Sequence, residues 1–118
     1  MSYKVIITDP FERETKKLKK KHRSLKNDLA NLIESLQENP TQGVQIKENC
    51  YKIRMAITSK GRGKSGGARV ITFVQIVDEN VYLLDIYDKK DKSNISEKVL
   101  EELIDWVEKE IDDAKEEE

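Results

Sequence analysis

The stretch "CYKIRMAIT", residues 50–58, alternates without a break. Successive side chains of an extended strand point to opposite faces. Tyr51, Ile53, Met55 and Ile57 therefore share one side, and Cys50, Lys52, Arg54 and Ala56 the other. The apolar side needs a core. The other side carries Lys52 and Arg54 one pleat apart, roughly 7 Å along the strand, so the two can straddle one phosphate. A strand with one apolar and one charged face belongs to an antiparallel sheet.

Downstream, "ARVITFVQIV", residues 68–77, is more uniformly apolar and reads as the central strand. Arg69 opens it and can join Lys52 and Arg54 across the ladder. "DEN", residues 78–80, turns tightly into a further strand, "VYLLDIYD", residues 81–88. Lys89 and Lys90 follow at once and are placed to close the group of cations.

Upstream, "YKVII", residues 3–7, is a short β-branched strand. Asp9 as N-cap, Pro10 at the first helical position and Glu12 at capping-box spacing open a helix over 9–21. Phe11, Thr15 and Leu18 fall on one face of it, opposite Lys16, Lys17, Lys19, Lys20 and Lys21. A second helix over 24–38 repeats Leu25, Leu29, Leu32, Ile33 and Leu36 at helical spacing and stops before Pro40 and Gly43. With a short basic turn near His22, the two form an antiparallel hairpin. The last helix starts at Ser96, with Ile95 and Leu100 at hydrophobic-staple spacing. Its stripe runs from Val99 to Ile111, its other faces are acidic, and residues 112–118 are expected to fray.

The expected fold class is therefore α+β: an N-terminal strand, an antiparallel helix pair, a three-stranded antiparallel meander and a C-terminal helix. The helices are expected on one face of the sheet, with Lys52 and Arg54 on the uncovered face. The 118 residues suit one domain, 1–118. A net charge of −1 hides a split. Residues 1–69 hold 16 Lys/Arg against 7 Asp/Glu, and residues 70–118 hold 6 against 16. The basic front suits a polyanionic partner; the alternative is two oppositely charged surfaces that only solubilise the fold. The N-terminus has no signal-peptide pattern and no apolar run reaches membrane-spanning length, so no membrane partner is expected. The lone Cys50 cannot form an internal disulfide, which fits a reducing, cytoplasmic location, and it reads as a buried thiol.

"SKGRGKSGGARV", residues 59–70, sets Lys60, Arg62, Lys64 and Arg69 among four glycines. "GKS", residues 63–65, is not a nucleotide loop, because Thr58 stands where the first glycine of that motif belongs. One histidine and one cysteine offer no metal-ligand set, so neither metal nor cofactor is expected. His22, in a basic turn, is expected to face solvent. One chemistry needs none of these. RNA carries its own nucleophile, the 2′-hydroxyl beside each phosphate. Arginine suits the charge of the transition state, and a lysine among other cations can approach the pKa of an acid or base. DNA lacks that hydroxyl.

"NCYKIRM", "GGARVITFV" and "VYLLDIYDKKD", residues 49–55, 66–74 and 81–91, resemble the RelE/HigB-like toxins of bacterial toxin–antitoxin modules, in the RelE/ParE superfamily. The resemblance spans roughly Tyr3 to Leu103, and "KSGGARVI" is most similar to HigB-type members. It implies a RelE-like microbial RNase fold, ribosome-dependent and metal-independent mRNA cleavage that inhibits translation, and a cognate antitoxin protein as partner beside ribosome and mRNA. It makes Lys52 and Arg54 proton-transfer and phosphate groups, Arg69 the transition-state stabiliser, and Lys90 a further catalytic cation beside Lys89. Family members of the RelE type carry a tyrosine six residues past that cation; Ser96 stands there, already used as a helix cap. Tyr87 is the substitute, or else an aromatic that closes the core, so the general base stays open.

Lys60, Arg62 and Lys64, with Lys89 and the helical Lys16, Lys17 and Lys20, are expected to contact ribosomal RNA or the mRNA backbone. The alternative is a solvated loop and a solvated helix face. A ParE-like gyrase inhibitor and a non-catalytic RNA-binding module also stay open. ParE-like members usually lack the cations at Lys52, Arg54 and Arg69.

Overall fold

A computed structural model describes residues 2–117. Strand β1 (Lys4–Ile7) leads into helices α1 (Asp9–Lys19) and α2 (Leu25–Glu38). Strands β2 (Val44–Lys47), β3 (Cys50–Met55), β4 (Ala68–Gln75) and β5 (Asn80–Asp88) follow, then helix α3 (Glu97–Glu116). The five strands lie in the order β1-β5-β4-β3-β2. β1 runs parallel to β5, and the other neighbours are antiparallel. β4 is the middle strand, as its apolar run predicts. Among the described residues no helix is long and apolar enough to cross a membrane.

The alternation of β3 is realised. Ile53, Met55 and Ile57 are buried and Tyr51 is half-buried, all packed toward α1 and α2 with Phe11, Leu25 and Leu36. The expectation of helices on one face only is corrected. Cys50, Ile71, Phe73 and Leu84 occupy the opposite face and form a second core with Ile95, Leu100 and Val107 of the α3 segment. The physical reason lies in β4 and β5, which are apolar on both sides. Leaving Ile71, Phe73 and Leu84 in water would forfeit about 1.5–3 kcal/mol each, so α3 covers them.

The boundaries differ from the sequence reading in several places: α1 ends at Lys19 rather than 21, β3 at Met55 rather than 58 and β4 at Gln75 rather than 77. β2 is an extra strand, making the meander four-stranded; it is a four-residue edge piece with Val44 63% exposed and an irregular register to β3. It is too short to show a period. The N-cap of α1 is Thr8 rather than Asp9: Thr8 Oγ1 accepts from the Phe11 amide at 3.3 Å and donates to the Leu83 carbonyl at 2.6 Å. The second bond ties the cap to β5, which local spacing cannot foresee. α3 continues to Glu116, into the segment expected to fray, and Lys115 in its last turn complements the helix dipole.

Asp28 fastens α2 to the chain that leaves β3. Its carboxylate accepts from the Thr58 amide at 2.9 Å, the Thr58 hydroxyl at 2.5 Å and the Ser24 hydroxyl at 2.8 Å. Partial burial disfavours the charged form, but the bonds from Thr58 and Ser24 outweigh it and hold the pKa below its ordinary 3.8. A depressed carboxylate stabilises the fold above its unfolded value and loses that contribution as pH falls through the folded value. Asp28→Asn is therefore expected to lose about 1 kcal/mol at neutral pH. The gap to wild type should close below pH 3.8, as urea midpoints across acid pH would show.

Candidate functional site

Strand register builds a row of side chains across the sheet. Arg54 of β3 pairs with Arg69 of β4, and Arg69 with Tyr87 of β5. Each neighbours, along its strand, a residue that points into the helix-pair core: Ile53 and Met55, Ala68 and Val70, Ile86. Arg54, Arg69 and Tyr87, with Lys52 two residues from Arg54, thus stand on the opposite face. α3 covers much of that face, so the expected open surface is reduced to the end that carries Arg54.

The four groups differ in exposure. Arg54 is exposed. Lys52 is half-buried, and its Nζ donates to Asn94 Oδ1 at 3.3 Å. Arg69 is only 3% exposed. Its Nη1 donates to the carbonyls of Lys64 (3.1 Å) and Ala68 (3.2 Å), and its Nη2 to that of Ser65 (3.3 Å). In this state the arginine clasps the loop between β3 and β4. Tyr87 is buried, and its hydroxyl has no hydrogen-bond partner among the described residues. Burial raises its pKa, against the opposing influence of the Ile95 amide and the Arg69 charge. That amide donates instead to Asn94 Oδ1 at 3.0 Å. Lys92 Nζ lies 4.9 Å from the Tyr87 ring centre, a cation–π contact. Tyr87 packs with Ile95 and Leu100 as part of the second core. Ser96, at the family's tyrosine position, caps α3 by accepting from the Val99 amide at 3.2 Å.

A second group of cations sits around the end of β5. Lys60, Arg62, Gly66, Lys89 and Lys90 line a shallow cleft of about 430 Å³. Two of the lining residues, Lys60 and Lys90, bind Asp88, itself buried. Its carboxylate meets Lys60 Nζ at 2.8 Å and His22 Nε2 at 3.0 Å, and accepts from the Lys90 amide at 2.9 Å. Burial opposes its ionisation, but the Lys60 ammonium, the Lys90 amide and His22 outweigh burial and keep its pKa below 3.8. Two expectations change here. His22 is not solvent-facing, since its side chain is 14% exposed. Lys60 is not a free loop cation but the partner of a buried carboxylate. The cause is common to both: a buried charge needs partners, and these two side chains supply them.

Arg62, Lys64, Lys89 and Lys90 are exposed. Gly61 and Gly63 hold the loop's left-handed turns, with φ of 69° and 65°. The Lys89 amide donates to the Gly67 carbonyl at 3.0 Å, joining the loop's end to β5. On α1, Lys16 and Lys17 lie near Glu12 (3.8 Å) and Glu14 (3.2 Å), and Lys20, the C-cap of the helix, is exposed. Cys50 is buried, and burial, with a smaller push from Glu108, raises its thiol to about 11. It is a packing residue. Asp88, Asn94 and Asp28 escaped the sequence reading. Only Asp88 carried a signal, an acid ending an apolar strand.

Residues 3–118 match the family described as "RelE toxin of RelE / RelB toxin-antitoxin system". The chain belongs to the RelE toxin family. Its fold recurs in the free form of an arginine-substituted double mutant of the E. coli toxin RelE. The TM-score is 0.60 at 17% identity, over 91% of this chain and 99% of that one. It recurs again in the toxin–antitoxin complex RelBE2 of Mycobacterium tuberculosis. There the TM-score is 0.53 at 15% identity, over 75% of this chain and 99% of that one. At such identities the likeness concerns the fold alone.

Proposed function

We propose that this RelE-family toxin cuts mRNA on the ribosome and that a cognate antitoxin restrains it in the cytoplasm. The observation that carries the reading is the row Lys52, Arg54 and Arg69, three cations from two paired strands on one face of the sheet. In the reaction the ribose 2′-oxygen forms a bond to the adjacent phosphorus, and the bond from phosphorus to the 5′-oxygen breaks. One proton leaves the 2′-hydroxyl and one arrives at the 5′-oxygen. Lys52 and Arg54 hold the phosphate, the Lys52 ammonium supplies the proton that the 5′-oxygen takes up, and the 2′-hydroxyl proton leaves to solvent water; Arg69 stabilises the charge on the equatorial oxygens. Arg62, Lys64, Lys89 and Lys90 hold the flanking backbone, and Lys16 and Lys17 of α1, with Lys20 at its C-cap, add a weaker contact to ribosomal RNA. Tyr87, buried beneath α3, shapes the site and keeps the Ile95–Asn94 turn against Lys52.

The test is primer extension on a translated mRNA with purified protein, with and without ribosomes. Cleavage is expected only with ribosomes, and a 2′-deoxy nucleotide at the cut should abolish it. Cleavage that ignores the 2′-hydroxyl would end the proposed chemistry. A second reading, RNA binding without cutting, draws on the loop carbonyls that occupy Arg69. It predicts stalled ribosomes on intact mRNA in the same assay. A gyrase supercoiling assay run beside it addresses the ParE-like alternative, for which inhibition would be the positive result.

A further inference from the structure

In the sequence Lys60 is indistinguishable from Arg62 and Lys64: three cations spaced two apart among glycines. The structure separates them. The Lys60 side chain is 13% exposed and its Nζ lies 2.8 Å from Asp88, whose side chain is 4% exposed. Arg62, Lys64, Lys89 and Lys90 are exposed and form no ion pair among the described residues. An exposed cation meets a phosphate by releasing counterions. Lys60 could do so only by leaving a buried carboxylate without its main partner, a state that buried ion pairs strongly resist.

We propose that Asp88 is a positioning residue that withdraws Lys60 from the RNA-binding set and, through the Lys90 amide and the Lys60 ammonium, fixes Arg62, Lys89 and Lys90 as the cations the cleft presents to a phosphate backbone. His22 closes the third side of the carboxylate, so the turn between α1 and α2, the basic loop and the end of β5 meet on one group. The inference rests on the RNA-binding part of the proposed function, not on the cleavage step.

The experiment is the salt dependence of binding to a labelled single-stranded RNA, by fluorescence anisotropy across a range of NaCl. Each phosphate contact contributes about 0.7 to the slope of log K against log salt. Arg62→Met, Lys89→Met and Lys90→Met should each flatten the slope by about 0.7, whereas Lys60→Met should leave it unchanged. Asp88→Asn, which releases Lys60, should steepen it by about 0.7. Should either single variant at the ion pair fail to fold by circular dichroism, the double variant Lys60→Met/Asp88→Asn removes both charges at nearly constant volume. Its slope should match wild type. Flattening by Lys60→Met or by the double variant, or an unchanged slope in folded Asp88→Asn, overturns this inference alone. A slope that no variant moves overturns the RNA-binding reading and this inference together.

Discussion

Replacing Arg69 with alanine is expected to lower ribosome-dependent mRNA cleavage roughly 100- to 1,000-fold, the usual effect of removing one donor aimed at transition-state charge. Arg69 is buried and its Nη atoms already have partners. Those partners are neutral carbonyls of Lys64, Ser65 and Ala68. A phosphate oxygen is charged, and a charge-assisted bond is about twice as strong as a neutral one. An arriving phosphate can therefore replace the Lys64 and Ser65 carbonyls, while the Ala68 carbonyl, within the strand, keeps the guanidinium aligned. The loop that must yield is rich in glycine and exposed, so its rearrangement costs little packing. Arg69→Lys keeps the charge but not the fork, and should fall between wild type and alanine. Growth arrest on induction should fall in the same order. If Arg69→Ala cuts mRNA at the wild-type rate while remaining folded, the guanidinium is only a clasp for the loop.

What the chain discloses before folding depends on the range of each interaction. The side of β3 that Ile53 and Met55 occupy follows from a period of two, and so does the opposite placement of Lys52 and Arg54. Arg69 joins them because a ladder connects residues directly across it. The apolar character of β4 on both sides already required a second covering layer; the one-face expectation weighed the alternation of β3 alone. The cap of α1 was misplaced by one residue because Thr8 and Asp9 are both good caps, and the Leu83 carbonyl, 75 residues away, decides between them. The pairing of Lys60 with Asp88 spans 28 residues and involves a carboxylate that local pattern reads as a strand end. The burial of Arg69 depends on the path of the loop whose Lys64 and Ser65 carbonyls it meets. The face of the site was legible; the partners and exposure of its cations depend on loop closure and were not.

Gly67→Ala is expected to destabilise the fold by about 3 kcal/mol, at the upper end for overpacking. Gly67 lies where the loop returns against the end of β3. A Cβ there would stand 2.2 Å from the Met55 carbonyl oxygen, 2.9 Å from the Ile57 nitrogen and 3.0 Å from the Ala56 Cα. All three are backbone atoms, so no rotamer change relieves the overlap, and the chain itself must move. Gly61 is the contrasting case. A Cβ on it meets nothing within 4 Å, but its φ is 69°, so Gly61→Ala should cost only about 1 kcal/mol of backbone strain. Thermal unfolding separates the two, with a Tm lowered by about 12 °C for Gly67→Ala and about 4 °C for Gly61→Ala. The larger change also has a functional direction. Met55 pairs with Ala68, and the next pair along the ladder is Arg54 with Arg69. Forcing β3 and β4 apart at Gly67 separates those two guanidinium groups first. Cleavage should therefore be lost in Gly67→Ala even at temperatures where circular dichroism shows it folded, while Gly61→Ala retains it. A Gly67→Ala protein with wild-type Tm would mean that the strand end is open enough to admit a methyl group, and the close packing that holds Arg54 beside Arg69 would then have to come from elsewhere in the sheet.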